Sequence, residues 1–122
     1  MAIRGLALSF AIFCLPLSAH AADLTGVWNA KFDTQIGPQD YTYELTQKGT
    51  ELTGSIKSGN GESKVENGAV KGDTVTFVEN LTVQGMTIKV DYTGKIVSDN
   101  EISFTRQVGT FATEQLTAKR VK

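Results

Sequence analysis

Two patterns divide the chain. Residues 6–17 form an apolar run interrupted only by Ser9 and Pro16. From Leu24 to Val121 apolar residues instead recur at every second position, separated by Thr, Lys, Glu, Asn and Ser. A period of two is the mark of strands with one buried face. No stretch of this second part sustains a helical period.

The alternation predicts about eight strands. The first runs from Leu24 to Asp33, with Trp28, Ala30 and Phe32 on one face. A loop over Thr34–Gln39 follows, with a turn at Gly37-Pro38. The second strand turns Tyr41, Tyr43 and Leu45 inward, and the third turns Leu52, Gly54 and Ile56 inward. Ser58-Gly59-Asn60-Gly61 reads as a flexible tip. The fourth strand spans Val65–Lys71, with a bulge at Gly68. The fifth carries Val75 and Phe77 and continues through Leu81 and Val83 to a turn at Gln84-Gly85. The sixth holds Ile88, Val90, Tyr92, Gly94 and Ile96. The seventh holds Ile102 and Phe104 and breaks at Gly109. The eighth runs from Phe111 to Val121. Gly68–Phe77 and Gly94–Phe104 echo one another as strand, Asp-containing turn and strand, which favours a meander of hairpins. Strands with one apolar face each can close into an up-and-down barrel, and closure removes exposed sheet edges. A two-sheet sandwich is the rival architecture. An outer-membrane barrel fits poorly, since its apolar face would meet lipid and several strands here are too short.

The apolar run at the start has a different purpose. Arg4 precedes it, and Ala19-His20-Ala21 supplies the small-x-small pattern of a cleavage site. About a dozen apolar residues are too few for a membrane span, which needs about 20. Residues 1–21 are therefore expected to be a signal peptide, and residues 22–122 a single secreted or periplasmic domain with no transmembrane segment. Cleavage changes the available chemistry. The one Cys (Cys14) and the one His (His20) leave with the leader. The remainder has no disulfide, no thiol nucleophile and no imidazole, which excludes Ser-His-Asp and Cys-His catalysis and zinc sites built on His or Cys. No cofactor and no metal are expected. The formal net charge of −1 becomes −2 once Arg4 is lost, with both signs interspersed, so nucleic acid is not an expected partner.

Gly26-Val27-Trp28 at the start and Arg120 near the end resemble the lipocalin-like (calycin) signature. There Gly-x-Trp opens the barrel and a late Arg stacks over the Trp to close the base. The resemblance extends over the whole mature chain to small secreted bacterial lipocalin-like barrels, through Thr-Gly-x-Trp, Leu-Thr-Gly, Gly-x-Val-x-Gly-Asp-x-Val-x-Phe and a terminal Ala-Lys-Arg. It implies structural roles for Gly26, Trp28 and Arg120. Leu24–Trp28 is also similar to the opening of avidin-type biotin binders, but the further Trp residues those use at the ligand are missing. Secreted bacterial metalloprotease inhibitors share the Gly-x-Trp start and carry a disulfide that this chain cannot form.

Strict alternation places three charges on inward faces: Glu79 beyond Phe77, Arg106 beyond Phe104, and Glu114 before Leu116. An ionised group in an apolar lumen costs several kcal/mol unless paired. One outcome is a charged cluster at a barrel mouth, with the Tyr41, Tyr43 and Tyr92 hydroxyls nearby, able to orient a small ligand. The other is that bulges or strand ends turn these charges to water. Gly54, Gly94, Ala30 and Ala118 leave space that is either a cavity or room for Phe32, Phe77 and Phe104. The expected function is a monomeric, non-enzymatic, lipocalin-like barrel binding a small apolar or amphipathic molecule. The alternatives are an envelope interaction or inhibitor protein with a filled barrel, and a small hydrolase using Glu79 and Glu114.

Overall fold

The computed structural model describes residues 23–34, 37–59 and 61–121. The expected signal peptide, with Cys14 and His20, lies outside the described residues. Among the described residues every regular element is a strand: β1 (Gly26–Thr34), β2 (Gly37–Lys48), β3 (Glu51–Ser58), β4 (Gly61–Lys64), β5 (Glu66–Lys71), β6 (Thr74–Val83), β7 (Met86–Ser98), β8 (Glu101–Val108) and β9 (Ala112–Arg120). β4 and β5 both pair with β3, on either side of Val65, and act as one interrupted stave. The other strands pair antiparallel with their chain neighbours, and β9 returns to β1. The result is a closed, lipocalin-like barrel of eight antiparallel staves in meander order.

The period-two pattern explains the core. Trp28, Leu45, Leu52, Ile56, Val75, Val90, Ile102 and Leu116 all point inward and are buried. The space question is settled by aromatics: a Cβ on Gly94 would sit 2.5 Å from the Phe104 ring, so the missing side chain is the room that Phe104 fills. Phe77 stacks on Tyr92 with centroids 4.3 Å apart, and Phe104 meets both edge-on. The middle of the barrel is packed rather than hollow.

The base is closed from two chain ends. The Trp28 indole is fully buried and donates from Nε1 to the Leu24 carbonyl at 2.9 Å. The Arg120 guanidinium lies 4.5 Å over its ring. Arg120 also donates to three carbonyls, those of Asp99 (3.0 Å), Thr25 (2.8 Å) and Asp23 (2.8 Å). Gly26 has φ of 145°, a conformation that side-chain-bearing residues rarely adopt. It leads residues 23–25 to where two of those carbonyls meet Arg120. β1 pairs with β9 only here, at Trp28↔Arg120 and Asn29↔Lys119.

Several boundaries differ from the sequence expectation. Gly37-Pro38 is not a turn: it opens β2, paired with Thr34 and Asp33. Pro38 has no N–H to donate, but β2 has no second neighbour at that level, since pairing with β3 starts at Thr42. The fourth stave starts at Gly61 rather than Val65, so part of the expected flexible tip is strand. Its bulge includes Asn67 (φ 52°) as well as Gly68, and the register shifts between Glu66 and Ala69. β6 does run through Leu81 and Val83 to a turn at Gln84-Gly85, as expected. The β6–β7 hairpin projects past the rim, leaving Val83 and Met86 exposed. Phe111 is exposed in the turn before β9 rather than opening the strand.

Arg120→Ala removes three charged hydrogen bonds and a cation–π contact at once. It is expected to destabilise the fold by about 2–4 kcal/mol in denaturant unfolding. Arg120→Lys, a point charge without the planar fork, is expected to recover less than half. A loss under about 0.5 kcal/mol for Arg120→Ala, the scale of an ordinary surface substitution, would refute the clamp.

Candidate functional site

Each side chain of the site is delivered by alternation and by register. Tyr41 and Tyr43 follow one another on the inner face of β2. Glu79 lies two residues beyond Phe77 on β6. Arg106 is the cross-strand partner of Tyr92 on β7 and of Glu114 on β9. Three adjacent staves therefore present Tyr92, Arg106 and Glu114 at one level. The structure brings together all six residues singled out above.

Arg106 is the hub. Its side chain is only 3% exposed. Nε donates to the Tyr92 hydroxyl at 2.9 Å, and Nη1 to Glu114 Oε1 at 2.6 Å. Nη2 donates to the Tyr41 hydroxyl at 2.9 Å and to Glu79 Oε1 at 3.5 Å. The guanidinium also lies 4.9 Å from the Tyr41 ring centroid and 5.5 Å from that of Phe32. Glu79, equally buried, accepts from the Tyr92 hydroxyl at 3.0 Å and from Ser63 Oγ at 2.5 Å. The Tyr43 and Tyr92 hydroxyls are 3.0 Å apart. Tyr92 spends its one proton on Glu79, so Tyr43 is the donor between them. Bulges do not turn these charges to water. Pairing inside the barrel satisfies them.

Burial disfavours the charge on Arg106, but the Tyr92 and Tyr41 hydroxyls, Glu114 and Glu79 more than reverse that and hold it protonated. Burial also raises Tyr92 and Tyr43 well above the ordinary tyrosine range. Tyr41 is raised by burial too, with Arg106 pulling the other way.

Above this floor opens a cavity of about 660 Å³. Tyr41, Glu79, Arg106 and Glu114 form part of its lining, whereas Tyr43 and Tyr92 are absent from it. Leu81, Val83, Ile88, Val108, Phe111 and Ala112 make an apolar wall. The β4 stave contributes Glu62, Ser63 and Lys64, where β4 is not paired with β6. Sequence reasoning missed Ser63 because Gly61-Glu62-Ser63-Lys64 holds no apolar residue to mark an inner face. It missed the wall because nothing local shows where a hairpin leaves the barrel. Among the described residues no group of His, Cys, Asp or Glu is arranged to hold a metal ion.

No protein-family model matches the chain, and no curated protein matches it. Solved structures do. The chain is similar to a redesigned β-barrel, b11L5F_LGL, at a TM-score of 0.62 and 13% identity, over 81% of this chain and 91% of that one. It is also similar to the redesigned barrel mFAP1 bound to DFHBI, at 0.51 and 15%, over 80% and 94%. A third, mFAP0 bound to DFHBI, matches at 0.50 and 16%, over 80% and 97%. At these identities the likeness is one of fold.

Two outcomes follow from the buried cluster. Arg106→Met leaves two inward carboxylates without their cation and is expected to cost about 3–5 kcal/mol in denaturant unfolding. Adding Glu79→Gln to it should restore part of that loss; a double variant no more stable than the single one counts against the pairing. The second outcome concerns alkali. The folded protein keeps its tyrosine protons above the ordinary pKa of about 10, while the unfolded chain releases them there. The folded state then binds more protons, so this contribution is complete below pH about 10 and is lost as pH rises further. Tyrosinate absorbance is expected to appear together with loss of the β-sheet circular dichroism. Titration near pH 10 in a still-folded protein would show that the hydroxyls are not sealed.

Proposed function

We propose that this chain is an exported, monomeric, non-enzymatic barrel that holds a small amphipathic molecule at its mouth. The observation that carries the reading is the cavity of about 660 Å³, with an apolar wall on one side and a satisfied polar floor beneath. Small-molecule sites fall in the range of about 300–1,000 Å³ and combine apolar walls with a few placed polar groups. Two barrels of similar fold are recorded with a small molecule, DFHBI, bound. Export rests on the leader pattern of residues 1–21. A hydrolase using Glu79 and Glu114 has little support, because Arg106 donates to both and Ser63 and Tyr92 also donate to Glu79. Docking to an envelope protein is a second reading, favoured by exposed Val83, Met86 and Phe111 on one rim.

The test begins with expression of the full chain in a bacterium. Recovery from the periplasm with a mass starting at Ala22 checks export. The same sample is titrated with Nile red, an uncharged dye that brightens in apolar surroundings. Saturable binding is expected. Ile88→Trp, which fills the apolar side of the cavity, should weaken it by about tenfold or more, a loss of about 1.4 kcal/mol. Val97→Trp, on the outside of β7, should not. Equal binding by wild type and Ile88→Trp would remove the mouth cavity as the site.

A further inference from the structure

We propose that the mouth cavity selects amphiphiles with a cationic head, an amine or quaternary ammonium, over anionic ones with the same tail. The proposal rests on the binding reading above and adds the sign of the head group. Among the described residues, six charged side chains line the cavity: Glu62, Lys64, Glu66, Glu79, Arg106 and Glu114. Four are carboxylates and two are cations, so the lining carries a formal net charge of −2.

The obvious anchor for an anion, Arg106, is already engaged. Its Nε, Nη1 and Nη2 donate to Tyr92, Glu114, Tyr41 and Glu79. Two carboxylates outweigh its single positive charge. A fatty carboxylate entering here would come to rest beside Glu114, like charge against like charge. Glu114 suits the opposite sign. Its Oε1 accepts from Arg106, and its side chain is 9% exposed while lining the cavity. An ammonium group would meet this carboxylate as an opposite charge, and the Leu81–Ile88–Val108 wall would receive the tail.

Dodecyltrimethylammonium, dodecanol and dodecanoate share a tail and differ in head charge. Each is measured by displacement of Nile red from the purified protein, below its micelle-forming concentration. The ammonium is expected to bind about tenfold or more tighter than dodecanoate, with dodecanol between them. The gap should shrink as salt is added. Glu114→Gln, with a circular dichroism spectrum like that of the wild type, should close most of the gap; if it does not fold, the wild-type order still decides. Equal affinity for the three heads, or dodecanoate tightest, overturns the charge selection and leaves the binding reading standing. Displacement by none of them overturns both.

Discussion

A charge buried inside a closed sheet must be neutralised there, and much of this barrel's upper half is arranged around that need. Arg106 is almost wholly buried, and β2, β6, β7 and β9 each bring an oxygen to it: Tyr41, Glu79, Tyr92 and Glu114. Ser63 ties in β4 through Glu79. Such a network adds little net stability compared with well-packed apolar residues. What it supplies is register. Sliding any of these strands by one residue would carry its polar group to the outer face and strand the others. The two polar levels of the barrel differ in this respect. At the base Arg120 answers backbone carbonyls, which every residue possesses, whereas at the mouth Arg106 answers particular side chains.

The cavity follows from how the barrel departs from regularity. Between the two arginines the lumen is full, because Gly94 admits Phe104 and the Phe77–Tyr92 stack occupies the centre. Above Arg106 the pairing between staves is less complete. The fourth stave is broken at Val65 and bulged at Asn67-Gly68, and its upper part is unpaired with β6. The β6–β7 hairpin runs on beyond the rim and carries apolar residues with it. The polar floor thus comes from regular alternation and register and much of the apolar wall from a hairpin that outruns the barrel, which is why the site is two-faced.

Much of the barrel can be read from the chain because its local rule is simple. Trp28, Tyr43, Val75, Phe77, Val90, Tyr92, Ile102 and Phe104 alternate with polar neighbours, and the alternation needs only one apolar face to be visible. Glu79, Arg106 and Glu114 are legible as inward positions by the same count. Their mutual distances are not, since those depend on pairings between strands far apart in sequence. Ser63 and the first half of the fourth stave are silent, because no apolar residue marks their inner face. Pro38 misleads: its usual association with turns is a statement about local geometry, and the missing second neighbour of β2 is what makes it acceptable in a strand.

The amino-acid sequence by itself determined that the domain is all-β, that most strands carry one apolar face, and that an unbroken alternation would put three charges on that face. These are consequences of side-chain order along an extended backbone, which needs no partner to be defined. Tertiary structure alone decided that the charges meet, that they meet beneath an open mouth, and that the space at Gly94 is occupied while the space above Arg106 is not. Contacts of that kind are set by closure, by stagger between neighbouring staves and by where a bulge falls. Each of those is a relation between segments, which no single stretch of chain carries.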